Sequence, residues 1–191
     1  MNKFHSLLII SLIGSLGLFS GCATDPEPFD PLPKESQSGQ RIIGCRINGE
    51  VWKPYREFRW DLKGSNTDRL ARYSAKSKTL WVIGLNETSG QLEFSLVNVT
   101  GPGKYTLDNS SSNMRLPVAN GGCFSAGPAY YLSENEHYTD STNQGEVVVT
   151  KLADGIVAGR FSFKAINKIT GKVVNVTDGR FDFYYLPGIG D

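Results

Sequence analysis

The chain has 191 residues, of which 20 are lysine or arginine and 19 are aspartate or glutamate, giving a formal charge of +1. So even a balance leaves no electrostatic footprint for nucleic acid and no polybasic patch for an anionic membrane. Two histidines in the whole chain leave little for a histidine-based metal site or a hydrolase triad.

Residues 1–21 open with Met1-Asn2-Lys3 and continue into an apolar run over residues 7–19 broken only by serine and glycine. That run is shorter than the ~20 residues a membrane-spanning helix needs and fits the core of a secretory signal. Leu18-Phe19-Ser20-Gly21-Cys22 resembles a bacterial lipobox, with Phe19 where leucine is usual. The resemblance implies cleavage before Cys22, lipidation of its thiol and acylation of the new amino terminus. Several acyl chains, at ~0.8 kcal/mol per buried CH₂, hold a protein firmly on a membrane. Residues 22–40 carry four prolines among polar and acidic residues, a composition that reads as a semi-extended tether. Asp25, Glu27 and Asp30 there are either a weak acidic export signal or simply solvating charges.

Residues 41–191 suit one domain with its own core. R-I-I-G-C-R-I-N-G-E-V (41–51) alternates around Ile43, Cys45 and Ile47, with Asn48-Gly49 as a turn signal. Residues 57–62 alternate around Phe58, Trp60 and Leu62. Residues 70–75 and 79–85 read as strands, and the nearly continuous apolar run L-W-V-I-G-L predicts a central one. Residues 91–99 and 104–107 follow as strands, then a long Ser-, Asn- and Gly-rich loop over residues 109–122. Cys123-Phe124 and residues 129–132 are weak strands, and residues 133–143 read as a polar connection. Residues 146–152 and 156–165 flank Asp154-Gly155, a tight-turn pair.

The strongest strand signal spans residues 159–185, where G-R-F-S-F at 159–163 returns as G-R-F-D-F at 179–183. Strand side chains alternate between faces, so Phe161, Phe163 and Ala165 share one face, as do Phe181, Phe183 and Tyr185. Val174 and Val176 precede the second set and are expected beside Phe161 and Phe163. Residues 167–171 form a hairpin loop with Gly171 at positive φ. Arg160 and Arg180 fall on the solvent side, with Asp182 or Asp178 as expected partners. Three strands joined by short turns make a C-terminal meander. The expected fold is all-β: an antiparallel β-sandwich or a partly closed barrel.

The lipobox, the Pro-rich tether, G-C-R-I-N-G-E-V-W-K-P (44–54), G-K-Y-T-L (103–107), the run at 146–165 and V-N-V-T-D-G-R-F-D (174–182) occur together. Jointly they resemble a family of uncharacterised lipoproteins from Bacteroidota-type bacteria. The resemblance implies an outer-membrane location, facing the periplasm or the outside, and transfers no catalytic residue.

Cys45 and Cys123 remain once Cys22 carries lipid, and in an oxidising envelope they are candidates for one disulfide. His137, the only histidine beyond the signal, lies in a polar stretch and reads as a solvated side chain. Glu134, Glu136 and Asp140 match no EF-hand spacing, and no phosphate loop or dinucleotide fingerprint follows a strand. No cofactor is expected. Asp140-Ser141-Thr142 resembles an O-glycosylation triplet. Aromatic residues are the remaining pointer to binding, with Trp52, Trp60, Tyr130 and Tyr131 as candidate ligand contacts.

The expected function is therefore a membrane-anchored, non-enzymatic module that binds a glycan or an envelope protein. Two alternatives stay open: a hydrolase or metal-dependent enzyme whose carboxylates converge only in the fold, and a structural component of an envelope complex. The first would need a concave pocket with paired acids of perturbed pKa.

Overall fold

The computed structural model describes residues 31–55, 68–109, 117, 119–127 and 135–188, and every regular element among them is a β-strand. In chain order these are β1 (Gln40–Ile47), β2 (Glu50–Trp52), β3 (Arg69–Ser74), β4 (Thr79–Asn86), β5 (Gly90–Leu96) and β6 (Gly103–Leu107). After them come β7 (Gly121–Ala126), β8 (Glu136–Tyr138), β9 (Gly145–Ala153), β10 (Ile156–Ile166), β11 (Val173–Tyr184) and β12 (Leu186–Pro187).

Hydrogen bonding links all 12 strands in one mixed sheet that does not close into a barrel. The path runs β12-β3-β4-β5-β7-β8-β10-β11-β1-β2, with β9 also on β10 and β6 on β9. Only β12 on β3 is parallel. A single pair, Ile166 with Tyr138, joins β10 to β8. That narrow join lets the sheet fold over into two leaves: β6-β9-β10-β11-β1-β2 (the first) and β8-β7-β5-β4-β3-β12 (the second). Between the leaves the Phe94 ring of β5 meets those of Phe161 and Phe181, each at 5.3 Å between centroids. The molecule is an all-β sandwich.

The expected meander is present as β9, β10 and β11, and Asn48-Gly49 and Asp154-Gly155 turn their hairpins with positive φ at both residues. As predicted, β4 lies inside its leaf, and Leu80, Trp81 and Val82 are buried. The near-repeat has a structural meaning. Gly159 pairs with Phe181, Arg160 with Arg180 and Phe161 with Gly179, so the two copies meet in antiparallel register about the arginines. Each phenylalanine ring lies across the opposite glycine: a Cβ on Gly179 would sit 2.5 Å from the Phe161 ring, and one on Gly159 2.9 Å from that of Phe181. Phe161, Phe163, Phe181 and Phe183 are all buried, each contributing roughly 1.5–3 kcal/mol of transfer free energy.

Phe163 faces Val176 and Ala165 faces Val174, but Phe161 faces Gly179, because β11 carries one extra residue between these pairs. Val174 and Val176 are even-numbered, whereas Phe181 and Phe183 are odd. Only a β-bulge at Thr177-Asp178 puts both sets on the core face. Asp178 absorbs it at φ 54°.

Two short strands lie where the sequence shows none. β8 falls in the stretch read as a polar connection, and His137 on it is buried against Phe124, with Nδ1 2.9 Å from the Asn135 carbonyl oxygen. β12 has two residues, one of them Pro187, which suits a sheet edge. The predicted strands around Trp60 and over residues 129–132 lie outside the described residues.

Candidate functional site

The outer face of the first leaf gathers the charged side of the near-repeat. Like charges directly opposite on neighbouring strands repel, and Arg160 and Arg180 are such a pair. Their counter-charge comes from 125 residues upstream. Glu35 takes a bidentate pair of bonds from Arg160, Nε to Oε1 and Nη2 to Oε2, both at 2.7 Å. This planar fork-to-carboxylate geometry is the strong form of the ion pair. Arg180 Nη1 donates to the Pro33 carbonyl at 3.0 Å, and Lys151 Nζ to that of Gln37 at 3.2 Å. The partners expected from the sequence do other things. Asp178 pairs with Arg46 at 3.7 Å.

Asp182 is fully buried and accepts three successive backbone N–H bonds, from Ser38 (3.1 Å), Gly39 (2.8 Å) and Gln40 (3.1 Å). A buried carboxylate needs such a nest of donors. Residues 32–39 therefore cross the outer face as a strap. Leu32 is buried at its start, Glu35 lies over Arg160 at its middle, and Asp182 fastens its end.

Beside the strap lies a cavity of about 510 Å³ lined by Glu35, Glu146, Arg160, Ser162, Asp178 and Arg180, among others. A second, of about 310 Å³, adjoins Glu35 and Arg160 from the side of Gln37, Ile42 and Thr150. Glu35, Arg160 and Arg180 line both. The bulge delivers Asp178 to the rim, as bulges beside binding sites commonly do. Lys104 holds Glu146 at 2.5 Å. The hydrogen bond from Arg160, with the charges of Arg160 and Arg180 behind it, holds the Glu35 carboxyl below its usual range. The same contact raises Arg160. The walls offer guanidinium donors, carboxylate acceptors and one hydroxyl, with Val148 and Phe161 as the apolar members. Such a surface suits a polar ligand with both donor and acceptor groups.

Of the aromatic residues singled out from the sequence, Trp60, Tyr130 and Tyr131 lie outside the described residues, as does Cys22. Trp52 is not a ligand platform. Its partner across the β1–β2 hairpin is Cys45, both point between the leaves, and the indole packs over Gly84 at 3 % exposure. Cys45 and Cys123 are buried free thiols, so the candidate bridge between them is not formed. Cys45 faces the core between the leaves, whereas Cys123 faces the opposite side of the second leaf with Trp81. Desolvation raises both thiols well above their usual range. Among the described residues no group of three or more His, Cys, Asp or Glu gathers as for a metal ion.

Fold and site together define an all-β sandwich domain with a charged, strap-crossed cavity on one outer face. Residues 65–187 match the family described as a domain of unknown function, DUF6252, and the chain belongs to that family. No curated protein and no solved structure matches the chain. Arg160, Asp178, Arg180 and Asp182 fall within the matched residues, whereas Glu35 and the strap precede them. The sequence does carry a signal for the arginine pair, since two copies of G-R-F in one hairpin are the natural way to bring two arginines opposite each other. For Glu35 it carries none.

Proposed function

We propose that this protein is a lipid-anchored component of the bacterial cell envelope, in outer membranes of Bacteroidota type, whose sandwich is a non-enzymatic binding module. The ligand sits in the cavity over Arg160 and Arg180. The arginine pair is the observation that carries this reading: two guanidinium groups placed side by side at an open cavity are set to recognise an anion. A hydrolytic role finds less support there. A general acid needs its carboxyl raised toward neutrality, and Glu35 is driven the other way by Arg160. Anchoring rests on the lipobox at Cys22 and on the Pro-rich stretch behind it.

Two experiments test the proposal. Cys22→Ala should move the protein from the membrane to the soluble fraction, and continued membrane fractionation of that variant would remove the anchor. The full chain in detergent, screened against glycan arrays and envelope extracts, should retain a partner that the double variant Arg160→Gln/Arg180→Gln binds at least about tenfold more weakly, a loss of ~1.4 kcal/mol. Turnover of the bound partner, or equal retention by the variant, would refute the binding-module assignment.

A further inference from the structure

Glu35 is the one carboxylate at the cavity that reaches Arg160 from outside the sheet, and its placement resembles that of a bound ligand. It is held side-on by a guanidinium fork, it borders two cavities together with Arg160 and Arg180, and it remains about half exposed. The other carboxylates on the wall have cations of their own, Glu146 with Lys104 and Asp178 with Arg46. The strap does not depend on the ion pair, because Leu32 is buried before it and Asp182 holds residues 38–40 after it. Glu35 can therefore swing away without the strap leaving the sheet. Its departure would free the Arg160 fork at the border of both cavities.

We infer that Glu35 is a built-in stand-in for the ligand's carboxylate, and that the ligand is an acidic sugar chain of the uronate class which takes over Arg160 by exchange. This rests on the binding-module reading above and adds the ligand class and the gate. The walls favour a sugar over a peptide. Arg160 and Arg180 serve the carboxylate, Glu146, Asp178 and Ser162 accept from hydroxyl groups, and Val148 and Phe161 add an apolar patch on which the C–H face of a sugar ring can lie. At about 510 Å³ it falls in the range of small-ligand pockets. A half-exposed bidentate pair makes a suitable gate, since an incoming carboxylate reaches it from solvent and regains the same two bonds from the fork.

Calorimetric titration of the full chain with an oligogalacturonate, at low ionic strength, tests the exchange. Wild type should bind. Glu35→Gln should bind about tenfold tighter, which is the gain from opening a site that its own gate closes about nine-tenths of the time. Arg160→Gln should lose binding, and a neutral oligosaccharide of equal length should not bind any variant. If Arg160→Gln loses binding but Glu35→Gln changes nothing, the gate is refuted while the binding-module reading stands. If a glutamate-rich peptide binds with the Glu35 and Arg160 dependence and oligogalacturonate does not, the sugar class is refuted. If neither probe binds wild type or Glu35→Gln, the inference falls, and the array and extract screen decides the reading beneath it. Thermal unfolding of each variant, expected within a few degrees of wild type, separates loss of site from loss of fold.

Discussion

The two faces of the β10–β11 hairpin are made from the same near-repeat and follow different rules. On the inner face Phe161, Phe163, Phe181 and Phe183 are dry, and their neighbours are the cross-strand glycines, Val176 and Phe94 of the facing leaf. On the outer face Arg160 and Arg180 stand opposite each other and are answered by a segment far away in the chain. The inner face is decided by burial of area, which any well-shaped apolar neighbour satisfies. The outer face is decided by particular partners, and changing one partner changes chemistry more than stability.

The largest effect should come from the inner face. Phe94→Ala removes the ring that bridges the leaves and should cost about 3–5 kcal/mol, read as a fall in the urea midpoint with little change in slope. A substitution at Asp182 should come next. Asp182→Ala strips three N–H groups of their acceptor and should cost about 1.5–3 kcal/mol, with faster amide exchange at residues 38–40. A loss as large as that of Phe94→Ala would break the contrast between the faces.

The smallest effect should follow pH. Glu35 has a lowered pKa in the folded protein, so its contribution to docking is fully present above the ordinary value of 4.5 and lost as the pH falls through the lowered value. NMR shifts of residues 33–37 should move in that acid window while those of the Phe94 shell stay still, and added salt should shrink the change. Movement of both sets together would mean that strap and core are one unit.

Alternation and turn chemistry make most of the sandwich legible from the sequence, because period-2 burial and pairs such as Asp154-Gly155 act locally. β8 is hidden because its apolar content is one histidine ring and one tyrosine, and β12 because two residues carry no period. Trp52 misleads because aromatic residues beside a proline look like loop furniture. Its register opposite Cys45, which turns it inward, follows from the hairpin. The arginine pair is visible as a repeat, but its partner is not. Glu35 lies in a stretch whose composition suggests only a solvated tether, and the contact spans 125 residues of sequence.

The fastening at Asp182 has a mechanical consequence. The strap runs into β1, which pairs with β11 from Gln40 to Ile47 and with β2 over Cys45–Ile47. Tension applied ahead of Leu32 meets the Pro33, Glu35 and Gln37 contacts first, then the Asp182 nest, and only then runs along β1.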